Sequence, residues 1–365
     1  MRRTLINSML LLSEKDVRKC LNMKDCLEVN RQALVSLATG QARVPTRIGL
    51  EFNSLDSTAD GGDGKGATDW TLFKPAAFDE PSAGPDGQPV TKLMGMKLAS
   101  IRAQNPAAGL PTVPASILSL NPETGLVDAV VAATYLTGAR TAAGSALATA
   151  LVRPDCQHLV VFGAGLQAEL HIHAISTAIG RPIPVTTIIN RTAARAEQLR
   201  DKLPKEWTSQ VNIVVSNPDD PLPVVEALST ASVVVTATNA ATPIFAGSVV
   251  LPPGCHINGI GSYTPDMQEV PARAVDRCRV LIDTQEAREV GDLKNLAHQH
   301  PVSLLGTALQ DPDHWLQHYR EGMSMLDCSF YKAVGTAIQD VFTADMVVKR
   351  ARELGIGTEV DMTEE

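Results

Sequence analysis

The chain has 365 residues, with 32 Lys and Arg against 40 Asp and Glu, a formal net charge of −8. That length exceeds what one ordinary core fills, so two domains are expected. The acidic balance argues against a body built to bind nucleic acid, and no apolar run reaches the length of a membrane span. A hydrophobic share of 44% with 20% charged residues fits a globular protein, and a cytoplasmic location is expected.

In chain order, "MRRTLINSMLLLSEKDVRK" is not read as a signal peptide. Asn7 and Ser8 interrupt its apolar run and no small-residue cleavage site follows. It reads as a strand leading into a helix, with Ser13 and Asp16 spaced as a capping box. "DCLEVNRQALVSLATG" is amphipathic at helical spacing and stops at Gly40. The Gly/Pro/Asp-rich stretches "TADGGDGKGATDW" and "DEPSAGPDGQPV" flank "TLFKPAAF", which suggests a sheet with long hairpin connections. "KLMGMKLAS" and the two halves of "ASILSLNPETGLVDAVVAA" read as strands, the latter pair joined by a turn at Asn121 to Gly125. "TYLTGARTAAGSALATALV" is a small-residue helix expected to be close-packed.

From about His158 the pattern alternates. "HLVVFGAG", "VTTIINR", "VNIVVS", "SVVVTATN" and "HINGIGS" read as strands, with "QAELHIHAISTAI", "TAARAEQLRDKL" and "PVVEALST" as helices between them. Such alternation predicts a doubly wound parallel α/β sheet of Rossmann type. The tail "SFYKAVGTAIQDVFTADMVVKRARELGIGTEV" reads as one long helical pattern.

Cys20, Cys26, Cys156, Cys255, Cys278 and Cys328 are scattered without a Cys-x-x-Cys pair, and read as reduced thiols. His171 and His173 lie two apart on a helix and face different sides, and His256 precedes a strand. All three read as structural, so no metal site is expected.

Chemistry enters at "GAGLQA", Gly163 to Ala168. A dinucleotide turn needs a first glycine for the tight turn and a second so that pyrophosphate can approach the N–H groups opening a helix. It needs a third small residue for helix–sheet packing. Gly163, Gly165 and Ala168 fit these positions, after an apolar strand and before a helix, and Ala164, Leu166 and Gln167 complete the cradle. The alternative is a Gly-rich turn serving packing alone. NAD recognition usually places a carboxylate on the ribose roughly 20 residues on. Here the strand ends in Asn190, followed by Arg191, Thr192 and Arg195. With no carboxylate to repel a 2′-phosphate and two guanidiniums able to pair with one, NADPH is expected over NADH. A helix cap with incidental surface arginines is the other possibility. Thr236, Ala237 and Thr238, in "TATN", follow a core strand at the edge where a dinucleotide crosses; their hydroxyls could equally cap the strand end.

The ordered set "VPTRIGL", "MGMKLAS", "NPETGLVDAVVAATYLTGARTAAGSALAT", "VFGAGLQA", "INRT", "VVVTATN", "HINGIGSYTPDMQEV" and "FYKAVGTAIQDVFTADMVVKRA" resembles the ornithine cyclodeaminase/μ-crystallin family over nearly the whole chain. The resemblance implies a homodimer whose Rossmann domain, here 136–324, is inserted in a discontinuous α+β substrate and dimerisation domain, here 1–135 plus 325–365. It implies Arg47 and Arg140 as ligands of a substrate carboxylate, to which the bidentate guanidinium fork is suited. A surface ion pair for Arg47 and a helix-packing charge for Arg140 are the plainer readings. Lys97 matches the family's active-site lysine. On an apolar strand it needs a partner or a shifted pKa, and either serves proton transfer; an edge lysine reaching water is the alternative. Lys74 stands where many members carry methionine, and adds charge to the pocket or lies on the surface. Thr141, Gly261 and Ser262 complete the implied cofactor contacts.

One departure carries weight. Deaminating members carry an aspartate where this chain has Tyr263. A tyrosine, with a reference pKa of about 10, donates a proton rather than acting as base near neutrality. The expectation is therefore an NAD(P)H-dependent reductase acting on a small imino acid, Δ1-pyrroline-2-carboxylate or Δ1-piperideine-2-carboxylate, to give the L-amino acid. Lys97 and Tyr263 would be its catalytic groups. An ornithine cyclodeaminase and a non-catalytic NADPH-dependent ligand-binding protein are the alternatives.

Overall fold

The computed structural model describes residues 8–52, 69–80, 91–102, 104–321 and 327–362. Most of the two Gly/Pro/Asp-rich stretches expected to be loops lies outside these. The chain divides into two compact units, one of residues 1–25, 39–137 and 336–365, the other of 26–38 and 138–335.

The first unit opens with β1 (Ser8–Leu12) and continues through β2 (Ala42–Arg43), β3 (Ile48–Phe52), β4 (Asp69–Asp79), β5 (Lys92–Ile101), β6 (Ala115–Leu120) and β7 (Val127–Ala132). Ser13 caps the helix Glu14–Cys20 with the expected box, its Oγ accepting from Asp16 N while Asp16 accepts from Ser13 N. β4, β5, β6 and β7 pair antiparallel in succession. The β6–β7 turn is made by Asn121, whose Oδ1 accepts from the backbone N–H groups of Glu123 and Thr124, and by Gly125 at φ +74°. Side chains alternate along β5. Leu93, Gly95, Lys97 and Ala99 face the helix Ala337–Leu354, while Met94, Met96 and Leu98 point to the opposite face. Gly95 is required chiefly by the neighbouring strand β6: a Cβ there would stand 2.8 Å from Leu118 O, and 3.2 Å from Val341 Cγ2 on the helix.

The second unit carries β8 (His158–Phe162), β9 (Ile183–Asn190), β10 (Thr208–Val215), β11 (Val233–Thr236), β12 (His256–Gly259), β13 (Cys278–Ile282), β14 (Val302–Leu304) and β15 (Cys328–Lys332). They form one sheet in the order β10-β9-β8-β11-β12-β15-β13-β14, every neighbouring pair parallel. This is the doubly wound Rossmann arrangement, with its order reversing between β8 and β11. The small-residue helix Thr134–Val152 is close-packed as expected: a Cβ on Gly138 would lie 2.6 Å from Leu170 Cδ1. The last strand of the chain, β16 (Thr358–Asp361), pairs antiparallel with β1 in the first unit's sheet.

The tail corrects the sequence reading. Its first eight residues are not helical: Ser329 to Lys332 belong to β15, wholly buried between β12 and β13, where aromatic residues suit a strand, and the tail's end, from Thr358, lies in β16. Gly335, at φ +79°, ends that run before the helix begins at Ala337.

Candidate active site

Two different demands act on the glycines after β8. Gly163 sits at φ +104°, and a Cβ there would stand 2.5 Å from Ala237 O, so backbone and packing both require it. Gly165 has an ordinary extended backbone, φ −97°, and a Cβ there would meet nothing within 4 Å. Nothing inside the protein asks for glycine at 165. The open space lies at the N-terminus of the helix Leu166–Ile179, whose first N–H groups lack intrahelical acceptors and favour an anion. Gln167 Oε1 is buried there without a hydrogen-bond partner, and Ala168 is fully buried as the third small residue. The cradle fits a pyrophosphate.

At the end of β9, Asn190 Nδ2 donates to Thr192 O (2.9 Å) and no carboxylate takes the ribose position. Thr192 is the N-cap of the next helix, but its side chain makes no capping bond. Arg191 and Arg195 are exposed.

The second half of the parallel sheet holds a buried polar array that sequence reasoning missed. Glu269 lies beyond β12 with no exposed surface. Its Oε1 accepts from Thr238 N (2.7 Å) and Thr238 Oγ1 (2.6 Å). Its Oε2 accepts from Gly261 N (2.6 Å) and Thr236 Oγ1 (2.8 Å). Burial pushes its carboxyl up, against those bonds and nearby Lys332, which push it down. The backbone N–H groups of Glu269 and Val270 donate to Asp292 Oδ1, and Lys332 Nζ donates to Asp292 Oδ2 (3.0 Å). Ser262 Oγ donates to Met267 O within the same loop. Tyr263 stands on this loop, half-buried, and burial raises its phenol above the usual range.

In this unit Arg140 is buried and its guanidinium lies against Gly335, where a Cβ would be 2.5 Å from Nη1. Asp283 Oδ2 accepts from the Val334 and Gly335 N–H groups, which fixes that turn. Thr141 is buried next to Arg140 in the same helix.

In the first unit, Lys97 is 2% exposed, and its Nζ lies 2.8 Å from each oxygen of Asp340, itself fully buried. Lys74 is directly opposite Lys97 across β4 and β5, and is also buried. Neither lysine is the surface group of the plainer reading. Arg47, between β2 and β3, is partly buried. Asp340 was legible in principle: a carboxylate flanked by Ile338, Val341 and Phe342 on a helix calls for a buried cation.

His171, His173 and His256 each make contacts within the second unit. His171 Nδ1 donates to Gln167 O, its Nε2 bonds Ser145 Oγ, and burial lowers it to about 4. His256 bonds Ser329 and Asn258 and is lowered to about 3 for the same reason. His173 stacks on Trp207. Among the described residues no group of three or more His, Cys, Asp or Glu could hold a metal ion, and all six cysteines are buried thiols outside any disulfide. No helix of the described chain is long and apolar enough to cross a membrane.

This chain is 28% identical to an uncharacterized cyclodeaminase of Dictyostelium discoideum, over 98% of the chain and 100% of that protein. It is 27% identical to a Delta(1)-pyrroline-2-carboxylate reductase of Bacillus cereus, over 97% and 100%. Among solved structures, the Delta(1)-pyrroline-2-carboxylate reductase of Thermococcus litoralis, in complex with NADH and L-proline, superposes with a TM-score of 0.78 at 25% identity. That match covers 96% of this chain and 100% of the other. The model of the ornithine cyclodeaminase/mu-crystallin family matches residues 85–355, and the chain belongs to that family.

Proposed function

We propose that this protein is an NAD(P)H-dependent reductase of a cyclic ketimine carboxylate, Δ1-pyrroline-2-carboxylate or its six-membered homologue, yielding the L-amino acid. The coarser reading, an enzyme that uses a nicotinamide cofactor, is supported by the reductases and cyclodeaminases among its relatives. The observation that carries the finer reading is Tyr263. Its phenol is pushed up by burial, so near neutrality it is a hydrogen-bond or proton donor and not the base that deamination asks for.

A reduced nicotinamide dinucleotide, with its pyrophosphate at the Gly163–Gly165 turn, would supply hydride to the C=N carbon. The family resemblance assigns the substrate carboxylate to Arg47 and Arg140, whose planar forks would fix the ring's orientation. Lys97, held by Asp340, or Tyr263 would supply the proton on nitrogen. The half-exposed sheet face bearing Ile48, Phe73, Met94, Met96, Leu118 and Val130 suits burial against a second copy, in line with a homodimer.

The test follows nicotinamide absorbance with NADPH and Δ1-pyrroline-2-carboxylate, in parallel with ammonia release from L-ornithine plus NAD⁺. NADPH consumption without ammonia is expected; ammonia and proline from ornithine would overturn the reductase reading. In the same assay, replacing Arg191 and Arg195 together by Ala is expected to raise KM for NADPH by roughly tenfold or more, since two charge-assisted contacts to the 2′-phosphate are lost. KM for NADH should barely move. Equal effects on both cofactors would remove the argument for NADPH.

A further inference from the structure

Around the carboxyl edge of the parallel sheet, three turns lie side by side: Gly163 after β8, Ala237–Thr238 after β11 and Gly261 after β12. Each touches the next, since a Cβ on Gly163 would strike Ala237 O and one on Gly261 would stand 2.0 Å from Thr238 O. In a doubly wound sheet the first three strands serve one mononucleotide half and the strands beyond the reversal serve the other. β8, β9 and β10, with the glycine turn, therefore serve the adenosine half, and the ends of β11 and β12 serve the nicotinamide half.

We propose that Glu269 is a positioning residue for the nicotinamide half of the cofactor, pinning the Thr238 and Gly261 turns as one platform. The proposal rests on the nicotinamide-enzyme reading above. Glu269 reaches both turns at once, one carboxylate oxygen on each backbone N–H, and also takes the Thr236 and Thr238 hydroxyls. Its own backbone is held by Asp292, which Lys332 neutralises from within β15. A fully buried carboxylate is costly unless its acceptor capacity is met, and here four donors meet it. The arrangement also fixes the protonation-independent chemistry required at 269. Each oxygen faces an N–H that can only donate, so a glutamine fits in neither orientation: its NH2 would meet Thr238 N–H or Gly261 N–H. Because Tyr263 is two residues beyond Gly261, the same pin sets where its phenol is presented.

The experiment titrates wild type, E269Q and T236V with NADPH, and with adenosine 2′,5′-bisphosphate, which lacks the nicotinamide mononucleotide half. NADH and AMP are titrated alongside, as the matching pair without the 2′-phosphate. Glu269→Gln is expected to weaken the complete dinucleotide at least tenfold while leaving the fragment within about twofold, on the loss of one buried charge-assisted bond. Thr236→Val, which removes one donor and keeps the shape, should give a smaller shift of the same kind, roughly threefold. That variant decides the matter if E269Q does not fold. Dinucleotide affinity unchanged in the folded variants, or equal weakening of dinucleotide and fragment, would overturn the positioning role and leave a merely structural one. A wild type that binds neither NADPH nor NADH would overturn the cofactor reading itself, and this inference with it.

Discussion

Replacing Asp340 by Leu, or Lys97 by Met, is expected to cost roughly 3–5 kcal/mol of stability, because each leaves the other charge buried and unpaired. The pair is 2% and 0% exposed, so solvent offers little compensation. The double substitution K97M/D340L should be far milder than either single change, since an apolar pair of similar volume removes both desolvation penalties at once. Urea unfolding of the four proteins measures the coupling, and a double mutant as damaged as the sum of the singles would deny it. Turnover should behave differently. All three variants are expected to lose kcat by roughly 10²–10⁴-fold, the range of a positioned proton donor. A stable, fully active double mutant would show that Lys97 serves the fold and not the reaction. The cross-strand position of Lys74 sharpens the contrast, because like charges directly opposite on a sheet oppose each other.

The sequence made the periodic half of this architecture readable. Strands and helices from His158 to Gly259 alternate with clear apolar runs, and the Asn121–Gly125 turn and the Ser13 capping box are local devices whose residues announce them. β13 and β15 were missed for a common reason: short apolar runs buried on both faces carry no amphipathic period, so β15 merged into the helical pattern beyond it, while the three residues of β14 are too few to show any period. At the candidate site, Gly163 and Gly165 could be named because turn geometry is a local fact, and Lys97 because the family resemblance points to it. Glu269, Asp292, Lys332 and Asp340 could not be assigned roles. Their partners lie from 8 residues away, for Glu269 and Gly261, to 243 away, for Lys97 and Asp340, and nothing local in the sequence records such pairings. The available signal was a charge inside an apolar segment, as for Lys332 in "SFYKAV", which demands a partner without naming it.

The two glycines of the turn offer the sharpest separation of fold from function. Gly163→Ala is expected to destabilise the protein by about 2 kcal/mol or more, since alanine at φ +104° is strained and its Cβ would press on Ala237 O. Gly165→Asp should do the opposite. Its φ of −97° and ψ of −171° suit the N-cap of the helix Leu166–Ile179, where aspartate is a favoured cap and complements the helix dipole. A Cβ there meets nothing. Thermal unfolding without cofactor should leave G165D as stable as wild type or slightly more so. Titration with NADPH and NADH should then show at least a 100-fold loss of affinity, about 2.8 kcal/mol, because a carboxylate occupies the space and charge position of the pyrophosphate. If G165D binds the dinucleotide as wild type does, the turn serves packing alone. If it loses stability together with binding, the second glycine answers to the fold after all. Only stability kept with affinity lost is consistent with open space at Gly165 held for an anionic ligand.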